Sequence, residues 1–372
     1  MLHFMGLKGE SILVAGNNVA GNNKEVLHLG VDVGSTTIKI AILDDNDQVI
    51  FNRYERHYSD IWKTLKEIME EVHHKYPAAL FTLAVTGSGG LSVSEKLGLS
   101  FIQEVVAGSK AIQRFIPQTD VVIELGGEDA KITFFQNGWE QRMNGICAGG
   151  TGAFIDQMAI LLHTDAAGLN SLAENFRVIY PIAARCGVFA KSDIQPLLNE
   201  GARKEDIAVS IFQAVVNQTI GGLACGRRIK GKVAFLGGPL HFLPQLRKRF
   251  QETLGLAEED MIVPENSQIY VAMGAALASK TDKVITSDQL LNKMKTSKRD
   301  FMWETAKLDP LFANDEEYQK FLQRHARATV QKKSLVNHKG HSFLGMDVGS
   351  TTTKAVLIDE EGNLLYSFYG NN

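Results

Sequence analysis

The stretch Leu29–Asp45, LGVDVGSTTIKIAILDD, decides the fold of this 372-residue chain. Two apolar, β-branched runs flank a short polar turn, which predicts strands over Leu27–Val33 and Ile38–Leu43 joined as a hairpin. Asp32 ends the first strand, where its carboxylate is a candidate to hold Mg²⁺ through water. Glycine lets the backbone of the turn approach a ligand, and neighbouring hydroxyl and N–H groups suit phosphate oxygens. These candidate ligand contacts are Gly34, Ser35, Thr36 and Thr37.

A turn of this kind is equally typical of a purely structural hairpin, but this one is repeated. The pattern returns near the C-terminus as Leu344–Glu360, LGMDVGSTTTKAVLIDE. A repeat at so long a spacing indicates a duplicated domain rather than a solenoid. We therefore interpret 342–372 as the truncated start of a second repeat, within a fragment of a longer protein. We expect it to be poorly ordered or to add as a strand to an exposed sheet edge.

Two further segments lie outside the body of the chain. Residues 1–25 are polar and rich in Gly and Asn in their second half, and we interpret them as a leader. Residues 281–341 are Lys-rich and lack strand-like runs, so they are interpreted as a linker. The linker is expected to be partly helical, because apolar residues recur at helical spacing within Asp315–Gln331.

A second glycine-containing turn, Glu124–Lys131 (ELGGEDAK), repeats the design of the first: a strand, an acidic residue, glycines and another strand. Gly126 and Gly127 give the backbone access to a ligand. Glu124 and Asp129 supply carboxylates close to that ligand. The recurrence of the design favours a shared chemical role for the two turns.

A third element, Ala234–Pro239 (AFLGGP), is a strand that runs into Gly237 and Gly238, an arrangement that can open a slot for a nucleoside. The three elements in this order are far more specific than any one of them. Helical patterns alternate with short strands elsewhere, so the body is predicted to be α/β with pseudo-duplicated strand-turn-strand units. The remaining predicted strands are Leu80–Thr86, Val121–Leu125, Ala130–Phe135 and Lys232–Leu236, and the predicted helices are Ile61–Tyr76, Gly108–Phe115, Gly152–Leu162, Lys204–Leu223 and Tyr270–Ser279.

Two of the three cysteines, Cys147 and Cys186, each precede a predicted helix, where the helix dipole favours a thiolate. Neither has a cysteine close by in the sequence, so no single-chain zinc or ferredoxin pattern is present. Two cysteines cannot complete a [4Fe–4S] cluster, whereas two from each subunit of a two-fold dimer can. Two buried or unpaired thiols are the alternative. The third cysteine, Cys225, is interpreted as a core or helix-end thiol.

A glycine-rich segment follows Cys147 and opens the next predicted helix. Such a segment is a candidate anion site, because the helix N-terminus presents free N–H groups. It would contact phosphate groups of a bound ligand on one side and carry Cys147 on the other. The residues are Gly149, Gly150, Thr151 and Gly152.

Together these motifs resemble the actin–sugar kinase–Hsp70 ATPase superfamily. They are more similar still to the activator ATPases of 2-hydroxyacyl-CoA dehydratases and benzoyl-CoA reductases, the BadF/BadG/BcrA/BcrD type. The resemblance covers about Val26–Lys280 and the C-terminal repeat. It implies an α/β fold in which two RNase-H-like, actin-like ATPase lobes, 26–117 and 118–280, close on ATP in a central nucleotide cleft. The last helix is a candidate to pack back on the first lobe.

The resemblance also implies roles for individual residues. Relative to the family, Glu124 replaces a usual Asp and Glu128 replaces a usual Gln, which predicts an altered rate of hydrolysis. Cys147 and Cys186 would be the ligands of a [4Fe–4S] cluster shared between two subunits. The implied catalytic residues are Asp32, Glu124, Glu128 and Asp129, with Asp32 holding Mg²⁺ through water. The implied ATP contacts are Gly34, Ser35, Thr36, Thr37, Lys39, Gly126, Gly127, Gly149, Gly150, Thr151, Gly152, Gly237, Gly238 and Pro239.

The function implied is an ATP-dependent activator that passes a low-potential electron to a dehydratase or acyl-CoA reductase partner in anaerobic metabolism. It would receive the electron from ferredoxin or flavodoxin. It would act as a homodimer, or as a pseudo-dimer with the second repeat of the full-length chain. Two alternatives stay open: a small-molecule kinase of the sugar type, and a non-catalytic, regulatory ATP-binding module.

Composition excludes several other classes. Lys and Arg total 39 against 42 Asp and Glu, a net charge of −3, which argues against a nucleic-acid binder. Hydrophobic residues make up 44% of the chain, enough for a large core. Three cysteines are too few for a disulfide framework, so a reducing, cytoplasmic setting is expected. We expect no membrane association, because no apolar run approaches the ~18 residues of a membrane span.

Overall fold

The computed structural model describes residues 26–136, 138–144, 149–183, 186–296, 309–349 and 351–371. The predicted leader therefore lies outside the described residues. The chain forms two compact units, of which the second comprises 195–201 and the residues from 299 onward. Up to residue 199 the elements are β1 (Val26–Val33), β2 (Thr37–Leu43), β3 (Val49–Arg56), α1 (Ile61–Lys75), β4 (Leu80–Thr86), α2 (Gly90–Leu97), β5 (Ser100–Phe101), α3 (Glu104–Phe115), β6 (Val121–Leu125), β7 (Ala130–Phe134), β8 (Glu140–Met143), α4 (Gly152–Leu161), α5 (Ala166–Leu172) and α6 (Gly187–Asn199).

The remaining elements complete the first unit and build the sheet of the second. They are α7 (Lys204–Thr219), β9 (Val233–Leu236), α8 (Gly238–Phe242), α9 (Pro244–Leu254), β10 (Met261–Ile262), α10 (Tyr270–Ser279), β11 (Ile285–Thr286), α11 (Ser287–Thr296), α12 (Asp315–Ala326), β12 (Ser342–Val348), β13 (Thr352–Asp359) and β14 (Leu364–Asn371).

The first unit is built on two mixed sheets of the same design. The first sheet has the order β11-β4-β1-β2-β3, with β5 paired to β4, and the second has the order β10-β9-β6-β7-β8. In each, an antiparallel meander (β1–β2–β3 or β6–β7–β8) is extended by a parallel strand beside its first member. The two predicted hairpins and the α/β fold are therefore confirmed.

Small residues bring helix α10 against the first sheet. At Gly30, in the middle of β1, an added β-carbon would lie 1.9 Å from the carbonyl oxygen of Ala272 in α10. Only glycine permits this approach, because the backbone of the helix occupies the space of the side chain. The other face of β1 packs against a cluster that includes Leu65 and Leu290, so apolar side chains cover both faces.

Several boundaries differ from the predictions. Helix α3 begins at Glu104 rather than Gly108, which moves a carboxylate onto its first turn. Strand β3 was not predicted, because its sequence VIFNRYER is half polar and only partly buried. The apolar helix predicted over Lys204–Leu223 is α-helical to Thr219 and then widens into a π-turn that contains Gly221 and Gly222.

The helix formed by α7 and its π-turn, Lys204–Ala224, is long and apolar enough to cross a membrane by length and composition alone. The expectation that no stretch of the chain approaches this length is wrong. About two thirds of its 18-residue window, 67%, is buried inside the protein, as is typical of a core helix.

In the second unit, β12, β13 and β14 form an antiparallel sheet of their own. The expectation that this segment adds as a strand to an exposed sheet edge is wrong, because each strand pairs with its neighbour in sequence. In the predicted linker, the helix predicted over Asp315–Gln331 ends at Ala326.

Candidate functional site

An acid–lysine pair crosses the first hairpin beside its turn. Asp32 and Lys39 are cross-strand neighbours, and Lys39 Nζ lies 2.8 Å from Asp32 Oδ2. Burial alone would lower the pKa of Lys39, but the adjacent Asp32 carboxylate outweighs it, and the pKa is raised. Asp32 Oδ1 is also buried and has no hydrogen-bond partner among the described residues. One carboxylate oxygen is thus left for a cation or a water molecule.

The second hairpin carries the same pair at the same register. Glu124 and Lys131 are cross-strand neighbours, with 3.6 Å between Glu124 Oε1 and Lys131 Nζ. Lys131 Nζ also lies 2.7 Å from Asp129 Oδ2 and contacts the Glu104 carboxylate. Burial would lower the pKa of Lys131, but these three carboxylates raise it well above its ordinary value. For Asp129, burial is outweighed by Lys131, and the pKa is lowered.

The turns themselves are closed in the same way. In the first, the Gly34 N–H donates to the Thr37 carbonyl at 2.9 Å. In the second, the Gly126 N–H donates to the Asp129 carbonyl at 2.7 Å. Both turns are therefore preformed by local backbone hydrogen bonds, and their remaining N–H groups can face a ligand.

Glu104 belongs to this cluster, although sequence reasoning did not identify it as a site residue. It is the first residue of α3, and its carboxylate reaches Lys131. Burial raises the pKa of Glu104 to about 7, against the opposing effect of the Lys131 ammonium. The nearby charges of Asp32, Glu124 and Asp129 act on this pKa in the same direction as burial. A carboxyl group that titrates near neutral pH is suited to accept a proton.

The structure brings most of the predicted glycine motifs together. A β-carbon at Gly127 would lie 2.2 Å from Thr36 Oγ1, so the two turns are in contact. The first turn of α4 packs on the second hairpin, since the Gly152 N–H donates to the Gly126 carbonyl at 3.0 Å. Around this junction, Gly152 lies against Pro239, Gly238 against Tyr54, Gly237 against Leu125 and Gly150 against Gln218.

The other predicted site residues occupy different surroundings. Thr151 is fully buried at the N-terminus of α4, and Thr37 is buried beside the first turn. Ser35 and Glu128 are exposed on their turns. Gly149 directly precedes the contact at Gly150. The catalytic and ATP-binding roles of these residues stay predictions.

The cysteines are described in part. Cys186 is half-buried and lies immediately before α6, which fits its predicted position. Cys147 lies outside the described residues. Cys225 follows the π-turn in a left-handed conformation (φ 46°) and is exposed, so its helix-end position is confirmed and a core position is wrong. Within the described part of the chain, no three His, Cys, Asp or Glu side chains gather into a metal site.

Comparison with known proteins first identifies the fold. The crystal structure of the Acidaminococcus fermentans (R)-2-hydroxyglutaryl-CoA dehydratase component A superposes with a TM-score of 0.60 at 27% identity, covering 71% of this chain and 99% of that one. The fold is that of the actin-like ATPases.

The family follows from sequence. Residues 29–279 match the model of the BadF/BadG/BcrA/BcrD ATPase family, and the chain belongs to this family. It is 32% identical over 254 residues to the (R)-2-hydroxyglutaryl-CoA dehydratase activating ATPase of Acidaminococcus fermentans, covering 67% of this chain and 95% of that protein. It is 29% identical over 256 residues to the 2-hydroxyisocaproyl-CoA dehydratase activator of Clostridioides difficile, covering 67% and 93%. The resemblance stated from the motifs is confirmed.

Proposed function

We propose that this chain is an ATP-hydrolysing activator that delivers a low-potential electron to a 2-hydroxyacyl-CoA dehydratase or an acyl-CoA reductase of similar type. The observation that carries the proposal is the pair of acid–lysine hairpins in contact through Thr36 and Gly127. The names of the relatives, a dehydratase activator and a dehydratase activating ATPase, support the same role.

In this proposal the two turns bind ATP between them. Their N–H groups and the Lys39 ammonium hold phosphate oxygens, and Gly237 and Gly238 border the adenosine. Mg²⁺ would neutralise charge on the phosphates, and Asp32 Oδ1, which has no hydrogen-bond partner in the described part of the chain, would accept a hydrogen bond from a water molecule of its hydration shell. A set of one buried carboxylate oxygen suits Mg²⁺, which keeps most of its waters when phosphates bind it.

Hydrolysis requires a proton acceptor for the attacking water. We assign this role to Glu104, whose carboxyl group titrates near pH 7. As water attacks the γ-phosphorus, the bond to the bridging oxygen of ADP breaks and the water proton moves to Glu104. Lys131 orients Glu104 through their ion pair. Glu124, Asp129 and Glu128 complete the negatively charged wall of the second hairpin.

Cys147 and Cys186 are the proposed ligands of a [4Fe–4S] cluster. Cys186 fits this role because its half-buried thiol precedes a helix N-terminus, where a thiolate is stabilised. When bound, the cluster supplies one electron at low potential. Two cysteines per chain require a homodimer, or a pseudo-dimer with a second repeat. The proposed electron donor is ferredoxin or flavodoxin, and the proposed setting is the cytoplasm.

Anaerobic iron analysis tests this proposal. The protein is reconstituted without oxygen, iron and sulfide are measured per chain, and EPR spectra of the dithionite-reduced protein are recorded with and without MgATP. We expect about two iron atoms per chain and a reduced-cluster signal that changes with ATP. Cys186→Ser should lose the signal, whereas the matched control Cys225→Ser should keep it. A folded, ATP-binding protein without iron would contradict the electron-transfer role and favour a kinase or a regulatory module.

A further inference from the structure

Helix α4 is attached to both sides of the nucleotide site. In its first turn, the Gly152 N–H donates to the Gly126 carbonyl at 3.0 Å, and the Ala153 N–H donates to the Gly127 carbonyl at 2.7 Å. One turn further on, Asp156 Oδ2 lies 2.8 Å from Arg56 Nη1 at the end of β3. The helix is thus bonded to the second hairpin by its backbone and to the first sheet by an ion pair.

Arg56 is in turn connected to the first glycine turn by the next residue. The His57 N–H donates to the Thr36 carbonyl at 3.2 Å, and His57 Nε2 lies 3.1 Å from the Gly34 carbonyl oxygen. Nδ1 accepts a hydrogen bond from the Ser59 N–H, so Nε2 is the nitrogen that donates to Gly34. His57 is 6% exposed, and two of its bonds reach the turn; displacing the turn therefore displaces the end of β3.

We propose that Arg56 and Asp156 are positioning residues that transmit the nucleotide state of the first glycine turn to α4, the helix that follows Cys147 in the chain. The inference rests on the proposed function, because it takes ATP as the ligand that holds the two turns together. When the two turns separate or approach, α4 stays bonded to the second hairpin, while Arg56 moves with the first sheet. The helix must then tilt or the ion pair must break.

The exposure of the pair supports a coupling role rather than a structural one. The Arg56 and Asp156 side chains are 49% and 33% exposed. An ion pair so open to water contributes little to the free energy of unfolding. Its loss should leave the fold intact and change only the response of α4 to nucleotide.

Hydrogen–deuterium exchange tests this directly. Exchange is measured in full-length protein for peptides that cover α4 and the second turn, with MgADP and with Mg²⁺ plus a non-hydrolysable ATP analogue. In the wild type, α4 should exchange differently in the two states. In Arg56→Gln and Asp156→Asn, the difference within α4 should fall about fivefold or more, while the second turn is still protected by nucleotide. The double variant Arg56→Asp with Asp156→Arg should recover part of the response.

Arg53→Gln is the matched control. Arg53 lies on the same strand as Arg56 and forms an ion pair with Glu71 of α1, with 2.8 Å between Arg53 Nε and Glu71 Oε2. This ion pair does not involve α4. Its loss should leave the α4 response unchanged. An unchanged α4 response in the Arg56 and Asp156 variants, or a double variant no better than either single one, would overturn the inference alone. A wild type whose second turn gains no protection from nucleotide would overturn the proposed function as well.

Discussion

The hairpin β1–β2 and the hairpin β12–β13 have closely similar sequences around the same DVGSTT turn, in very different surroundings. Both carry the acid–lysine pair seven residues apart, with 2.8 Å between Lys39 Nζ and Asp32 Oδ2 and 2.7 Å between Lys354 Nζ and Asp347 Oδ2. Yet the side chain of Asp32 is 1% exposed and that of Asp347 is 65% exposed. The difference lies in the neighbours that cover each sheet.

Those neighbours can be named. In the first unit, β4 pairs with the free side of β1 and α10 covers Gly30. In the described part of the second unit, β12 pairs only with β13, and the nearest atom to a β-carbon at Gly345 lies 4.0 Å away. The hairpin and its turn are thus specified by local sequence. Burial of the charged pair depends on elements far away in sequence, and burial strengthens the attraction between the two charges because it removes them from water.

The largest effect is expected from removing the lysine of the buried pair, and it is compared with removal of the lysine of the exposed pair. Lys39→Met would leave the buried Asp32 carboxylate without its counter-charge, which costs about 3–5 kcal/mol in the free energy of unfolding. Lys354→Met should produce no measurable change, because Asp347 is open to water. Denaturant unfolding followed by far-UV circular dichroism, which reports on the strands and helices of both units, measures the difference. Equal losses in the two variants would refute this account of the pairs.

A somewhat smaller effect is expected at Glu104, the first residue of α3. Because the proposed proton acceptor must be ionised, ATP hydrolysis should rise as the pH increases through about 7. Glu104→Gln should reduce the rate about 10²-fold and abolish this dependence. Rates measured from pH 5.5 to 8.5 (an assay range of about three units around the expected midpoint) check both points. The charged groups that face Glu104 are Asp32, Glu124, Asp129 and Lys131.

If the rate of the Glu104→Gln variant keeps the pH dependence of the wild type, another group accepts the proton. Glu128→Gln is the matched control, because Glu128 is exposed on the turn. It should lower the rate much less than Glu104→Gln does and leave the apparent pKa of the profile in place.

The smallest effect is expected from filling the two equivalent glycines. Gly30→Ala places a methyl group against the Ala272 carbonyl oxygen and should cost about 1–3 kcal/mol of unfolding free energy. Gly345→Ala meets only an ordinary van der Waals contact, 4.0 Å from the Val356 carbonyl oxygen, and should change the free energy of unfolding by less than about 0.5 kcal/mol. Thermal unfolding monitored by circular dichroism measures both. A stable Gly30→Ala protein would mean that α10 can move away from β1 at little cost.

The sequence predicts the hairpins and turns, which depend on neighbouring residues, and misses the contacts between residues that are far apart in the chain. The two hairpins and their acid–glycine turns follow from alternation of strand and turn residues, so their positions could be read within a residue or two. Glu104 could not be identified this way, because its role depends on Lys131, a residue brought close only by the fold. The one available signal was an acidic residue at the start of a helix that follows a strand.

Two other differences from the predictions have separate physical origins. Strand β3 has a half-polar sequence because one part of it meets solvent and Arg56 reaches α4. The sheet of β12–β14 differs from the expected pairing with the edge of another sheet, because each of its strands pairs with the next strand in the chain. Neighbours in space therefore determine the pattern of β3, whereas the order of the strands along the chain determines the pairing of β12–β14.

The contact between Gly30 and Ala272 has a consequence for how the protein is made. The first strand leaves the ribosome early, but the helix that covers it is among the last parts of the first unit to be synthesised. At about 5–20 residues per second, the face of β1 that carries Gly30 waits on the order of 10–50 s for its cover. During that interval this face of the first sheet, which also carries Ala41 and Ala84, is exposed on the nascent chain, so a holding chaperone should improve the yield of cell-free synthesis.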